Sequence, residues 1–213
     1  MRHRLTSRST ARATAIGAAL TLAAGAALSA APAQAADNTS LAEVLAADGN
    51  HFDRNWDDFD VVERAVLKVL SEKPDSAVGV LADPDVALTA FVPTDRAFRR
   101  LVADLTGVQK PFERGVWSTA KTLGVDTLET VLLYHVVPGS TIKYSQALGA
   151  DGAELTTAQG GKVTVQVRNH RVRLADLDRD DRNARVIPAL RNINKGNPQI
   201  AHGVDEVLRP ANL

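Results

Sequence analysis

The ten residues TAFVPTDRAF, Thr89–Phe98, constrain this chain more than any others. A β-rich apolar run, Ala87–Val92, lies between Pro84 and Pro93 and predicts a buried strand. Thr94 then supplies a hydroxyl that caps a helix, and Asp95 sits where an acid favours the positive end of the helix dipole. Phe98, Leu101 and Val102 fall on the face such a helix turns to a core. A fold that accepts this segment must pass a core strand almost directly into a packed helix.

Two further stretches make comparable demands, Leu132–Gly139 (LLYHVVPG) and Ile200–Pro210 (IAHGVDEVLRP). Asp126 and Glu129 have the spacing of a capping box and predict a helix over Thr127–His135. Leu128, Val131, Leu132 and His135 recur at helical spacing, so His135 turns inward, where its ring nitrogens need partners. Pro138-Gly139 turns the chain. Earlier, Leu41, Val44 and Leu45 predict a short helix stopped by Gly49. Phe59, Val62, Val66, Val69 and Leu70 form one apolar stripe with Glu63, Arg64 and Lys68 off it, a helix ended before Pro74. Phe52 and Trp56 read as lids over a core edge, Val78–Leu81 as a strand or a helical turn, and Val116–Leu123 as a short helix.

The later part reads mostly as strand. Val163, Val165 and Val167 alternate with polar residues, Asn169-His170 makes a tight turn, and Val172 and Leu174 resume the alternation. A two-residue turn sets Val167 opposite Val172, Val165 opposite Leu174 and Gln166 opposite Arg173. It also closes on Arg168 and Arg171, like charges that repel unless an acid intervenes.

The N-terminus predicts a targeting segment. Arg2, Arg4, Arg8 and Arg12 precede the uncharged run Ala15–Ala31, and Ala33-Gln34-Ala35 fits signal-peptidase cleavage after Ala35. The run is poor in large apolar side chains, which disfavours a stable membrane span. Removing this 35-residue leader from 213 leaves 178. The leader takes four of the 25 Lys and Arg and none of the 25 Asp and Glu, so the remainder carries 21 against 25, net −4. Mild acidity gives no reason to expect a nucleic-acid partner. With no cysteine, an exported chain has neither a disulfide nor a thiol for lipid attachment, so its stability rests on packing and hydrogen bonds. The expected organisation is a signal peptide over 1–35, a tether over 36–39 and one domain over 40–211. With only three residues after Pro210, a hydrophobic C-terminal anchor is not expected, and free secretion is.

Taken in order, the three stretches resemble the fasciclin-like domain, a family of extracellular adhesion modules. Phe91, Val92, Pro93, Thr94, Asp95 and Phe98 follow its first block, while Ile200, His202, Val204, Asp205, Val207, Leu208 and Pro210 follow its second, a strand with a short return into the last strand. Gln199, Ala201, Gly203 and Arg209 depart from its usual Gly or apolar residues. The resemblance implies an α+β fold, a wedge of two small sheets covered on one side by helices. It also implies receptor recognition near Tyr134 and His135.

The candidate functional residues follow. Thr94, Asp95, Tyr134, His135, His202 and Asp205 are expected as a structural polar set, with His202 bonding Asp205 or joining His135. Tyr134, His135, Arg168 and Arg171 are the candidates for partner contact. Ser118, Ser140 and Ser145 lie in no Gly-x-Ser-x-Gly turn, so no catalytic set is assigned. The run Asp176–Asp181 has alternating carboxylates, but Asp181 and Ile187 stand where a calcium loop needs Gly and Glu. Arg179, Arg182 and Arg185 are expected to neutralise this insertion. No metal or other cofactor is expected. The function expected is non-enzymatic adhesion or matrix interaction, with an extracellular protein or a cell-surface or wall glycan as partner. An apolar-ligand carrier is the alternative, and a hydrolase using His135 or His202 the third reading. Val92, Val131 and Val207 must share one interior for the fold to hold.

Overall fold

The computed structural model describes residues 38–49 and 51–212; the expected leader lies outside them. Strand β1 (Leu88–Pro93) is the centre of the architecture, buried along its whole length. It pairs antiparallel with β2 (Val136–Pro138) and parallel with β7 (Gln199–Val204) in a three-stranded sheet ordered β2-β1-β7. A second, antiparallel sheet runs β3 (Glu154–Thr156), β4 (Lys162–Arg168), β5 (Arg171–Ala175) and β6 (Ala184–Arg185).

Alternation along β1 divides the interior into two layers. Leu88, Ala90 and Val92 pack with the helices: α1 (Leu41–Leu45), α2 (Asp60–Glu72), α3 (Asp95–Thr106), α4 (Glu113–Ala120) and α5 (Val125–Tyr134). Val131 and Val207 belong to this same cluster, as the fold requires. Phe91 faces the other way, joining Tyr134, Val163, Val165, Val172 and Leu174 between the sheets. The resulting α+β architecture is two small sheets with helices on one side.

The β4–β5 register is the expected one at every position, Arg168 opposite Arg171 included. Asn169 and His170 both take positive φ, 52° and 57°, which a primed two-residue turn needs. The closing repulsion is relieved by Asp151, whose carboxylate lies 3.5 Å from Arg168 and accepts the Val167 N–H. Val78–Leu81 resolves as a 3₁₀ turn, within Ala77–Ala82.

Four local expectations are corrected. In α2, Val61, Ala65 and Val69 are deeply buried, and Glu63 is buried too, while Val66 and Leu70 are only partly so. That helix packs against α3, α4 and α5, so its covered arc is wider than a single stripe. Helix α5 starts from Gly124 without a side-chain cap, because Asp126 and Glu129 both turn to Lys73 instead. Among the described residues no strand follows β7: the Leu208 N–H goes to His135 and the Arg209 N–H to Asp176 instead of to a neighbouring strand. A short helix, α6 (Tyr144–Leu148), interrupts a part of the chain expected to be mostly strand.

Candidate functional site

Thr94 caps α3 as expected, its Oγ1 accepting the Ala97 N–H at 3.4 Å. Asp95 does more than face a helix dipole. It is fully buried, and its Oδ1 accepts the Val61 N–H at the start of α2 at 2.9 Å. In return, the carbonyls of Trp56 and Asp58 accept the Arg96 and Asp95 N–H groups at 2.9 and 3.0 Å. The 51–59 loop and α3 therefore clamp each other's exposed backbone groups. Burial pushes the Asp95 carboxyl up to about 8 against the bond from Val61, and Asp58, Glu113 and Asp60 push it the same way.

Glu113, at the first position of α4, is fully buried beside it and accepts the Asp53 N–H at 2.6 Å. Burial, assisted by Asp58, Asp53 and Asp60, raises its carboxyl to about 7. No spacing or motif marks Glu113, although Asp53, Asp57, Asp58 and Asp60 mark the loop that meets it.

Tyr134 is fully buried and donates its hydroxyl to the Lys162 carbonyl at 2.6 Å. Desolvation, with Asp176 nearby, pushes that hydroxyl up to about 12. His135 is 4% exposed; its Nδ1 bonds the Val131 carbonyl at 2.7 Å and its Nε2 accepts the Leu208 N–H at 2.8 Å. That pattern requires a neutral ring protonated at Nδ1, and burial lowers its pKa to about 4. Neither residue offers a surface for the receptor contact implied by the resemblance, because both point into the layers β1 divides.

His202 is 1% exposed and equally committed. Its Nδ1 accepts the Asn192 N–H at 3.2 Å and its Nε2 donates to the Ile142 carbonyl at 2.9 Å, while its ring stacks on Phe91 with centroids 5.9 Å apart. Burial lowers its pKa. The expected bond to Asp205 and link to His135 are not formed. Asp205 instead accepts the Arg185 N–H at 2.7 Å and pairs with Arg182 at 3.3 Å. Two histidines, each pinning a different backbone crossing, replace one shared network.

The departures at the second block have defined uses. Gln199 is fully buried, accepting the Leu41 N–H at 2.7 Å and donating to the Val80 and Asp83 carbonyls at 2.8 and 2.7 Å. At Gly203 an added Cβ would lie 2.6 Å from Leu190 Cβ, so β7 admits only glycine beside that turn. Register is not disturbed there, since Val92 and Gly203 pair in an unbroken ladder.

Arg209 is 2% exposed and receives the Asp176–Asp181 loop: its guanidinium lies 3.0 Å from Asp178, 2.9 Å from Asp104, and against Asp181. Its N–H bonds Asp176 at 2.8 Å. The carboxylates expected to be balanced by Arg179, Arg182 and Arg185 thus close on a different arginine, in the space a cation would need. Arg182 pairs with Asp205 and Glu206. Arg168 and Arg171 are exposed at the tip of the β4–β5 hairpin.

Residues 75–210 match the family model described as Fasciclin domain. This chain belongs to the fasciclin domain family. Among solved structures it is similar to the FAS1 domain pair from the insect cell adhesion molecule Fasciclin I, with a TM-score of 0.53 at 12% identity. The alignment covers 80% of this chain and 51% of that one, so the chain spans about half the length of the pair. At that identity the likeness concerns the fold. No match is found among curated proteins. The two fasciclin blocks read in the sequence are β1 with the start of α3, and β7 with the segment after it.

Proposed function

We propose that this fasciclin domain acts outside the cell by surface contact, as an adhesion or matrix-interaction module that binds a protein or wall glycan and catalyses nothing. The observation that carries this reading is the state of the two buried histidines. A general base needs a ring nitrogen free to take a proton from a nucleophile. All four ring nitrogens of His135 and His202 are occupied by backbone groups. The cell adhesion molecule of similar fold supports the same direction. The space beneath the helices, lined by Leu45, Val62, Phe91 and His135, is about 30 Å³, room for one water rather than a lipid or pigment. That argues against the carrier.

We place the domain at 40–211, because α1 and α2 precede the family match yet contribute Leu41, Val61 and Val69 to the shared core. The leader 1–35 would deliver it, with 36–39 as tether. Among the described residues no helix is long and apolar enough to cross a membrane. The exposed arginine pair at the β4–β5 tip is the contact we assign first. The protein should be retained on cells or isolated wall material, and Arg168→Gln with Arg171→Gln, which removes both charges without setting carboxylates against Asp151, should lower retention while the melting point stays within a few degrees. Retention no greater than that of an unrelated acidic protein would end this reading.

A further inference from the structure

We propose that the acidic pocket where α2, α3 and α4 begin is a calcium site, with Asp58, Asp95 and Glu113 as inner ligands and Asp53 and Asp60 at its edge. The argument starts from two oxygens. Asp95 and Glu113 are both fully buried, and each spends one carboxylate oxygen on a backbone N–H. The second oxygen of each, Asp95 Oδ2 and Glu113 Oε1, is buried without a hydrogen-bond partner. Buried acceptors are almost always satisfied, so two left open on residues of one carboxylate cluster point to a missing partner.

The geometry identifies what that partner is. One oxygen each from Asp58, Asp95 and Glu113 lie within 4.8 Å of one another, and a second trio from Asp53, Asp58 and Asp60 shares Asp58. Two oxygens bound to one calcium at about 2.4 Å lie at most about 4.8 Å apart, so the spacing of the three inner ligands meets the condition for sharing one ion. Every donor is a carboxylate oxygen, the preference of a hard cation; a softer metal would call for sulfur or imidazole. Magnesium fits less well, because it demands shorter, near-octahedral bonds and keeps its waters.

The site is also reachable. Asp53 and Glu113 line an open cleft of about 480 Å³ bordered by Phe52, Phe112 and Ser118. From that cleft, water or a ligand oxygen can complete the six to eight contacts calcium takes. The three ligand-bearing segments are already tied together by the Val61–Asp95 and Asp53–Glu113 bonds, so the ion would lock an existing junction. The Asp176–Asp181 loop makes the contrast, since Arg209 already fills its centre.

The test is titration of calcium chloride into the EDTA-treated protein by calorimetry, with thermal unfolding followed in parallel. The expected result is one ion per chain, with a dissociation constant of about 10⁻³ M or tighter, as in extracellular sites, and a melting point that rises with calcium. Glu113→Gln and Asp53→Asn should each weaken binding by about tenfold or more, while Asp180→Asn in the Asp176–Asp181 loop should leave it unchanged. Circular dichroism checks that each variant folds, and the exposed Asp53 keeps the test alive should Glu113→Gln not fold. Absence of both heat and a melting shift up to about 10 mM calcium overturns the site. Binding that survives Asp53→Asn and Glu113→Gln, or that is lost in Asp180→Asn, overturns its location.

Discussion

The most searching test of the core is the titration of His135, followed by comparing the protein with His135→Gln. Protonating the ring would place a second N–H at Nε2, facing the Leu208 N–H, and would bury a charge in the helix layer. Its folded pKa is accordingly depressed, from 6.5 to about 4, with burial as the main cause. Between those values the unfolded chain binds a proton that the folded chain refuses. Stability from this residue is therefore fully present above 6.5 and lost as pH falls toward 4, by about 1.4 kcal/mol per unit and about 3 kcal/mol in all. His202 is shifted in the same direction. Asp95, Glu113 and Asp176 have raised values and act with the opposite sign, so the informative quantity is the difference between the two chains. A glutamine amide can donate to Val131 and accept from Leu208 without titrating. Urea unfolding from neutral to acid pH should show His135→Gln costing most near neutrality, with the deficit shrinking as the medium acidifies. A deficit constant over that range would refute the argument, as would a folded-state His135 resonance titrating near its ordinary value.

Three further substitutions address departures around the second block. Gly203→Ala should destabilise by about 1–3 kcal/mol in thermal unfolding. An added Cβ meets Leu190 at Cβ (2.6 Å) and at Cδ1 (2.9 Å), so Leu190→Ala, which removes only the second contact, should recover less of that loss than Leu190→Gly. Arg209→Ala leaves the buried Asp178 carboxylate without its counter-charge and should cost about 3–5 kcal/mol, with Asp178→Asn in that background restoring part. Gln199→Leu strands the Leu41 N–H and the Val80 and Asp83 carbonyls, so a loss of about 2–4 kcal/mol is expected, with faster hydrogen exchange at the Leu41 amide.

Where the sequence was legible, local chemistry and tertiary packing agreed. A two-residue turn plus strict alternation leaves only one pairing for Val163–Leu174, and that pairing is found. The step from β1 through Thr94 into α3 was readable because proline, cap and apolar face lie within ten residues. The errors arise where a distant group outcompetes a near one. Asp126 and Glu129 have capping spacing, yet the Lys73 ammonium offers more than their own backbone. His202 and Asp205 are close in sequence, but they point into different surroundings on either side of the end of β7. Arg209 gathers Asp104, Asp178 and Asp181, and no local spacing announces such a meeting. The acidic junction was half visible, its 53–60 loop dense in aspartate but its Glu113 partner without any mark.

The parallel pairing of β1 with β7 has a consequence for biosynthesis. The central strand is made early, while its last neighbour is completed on the order of 110 residues later. At about 5–20 residues per second the ribosome needs roughly 6–22 s to supply it. Throughout that wait one edge of β1 stays open to any extended chain that passes, so a chaperone or a translocation channel would have to shield it until the C-terminus emerges.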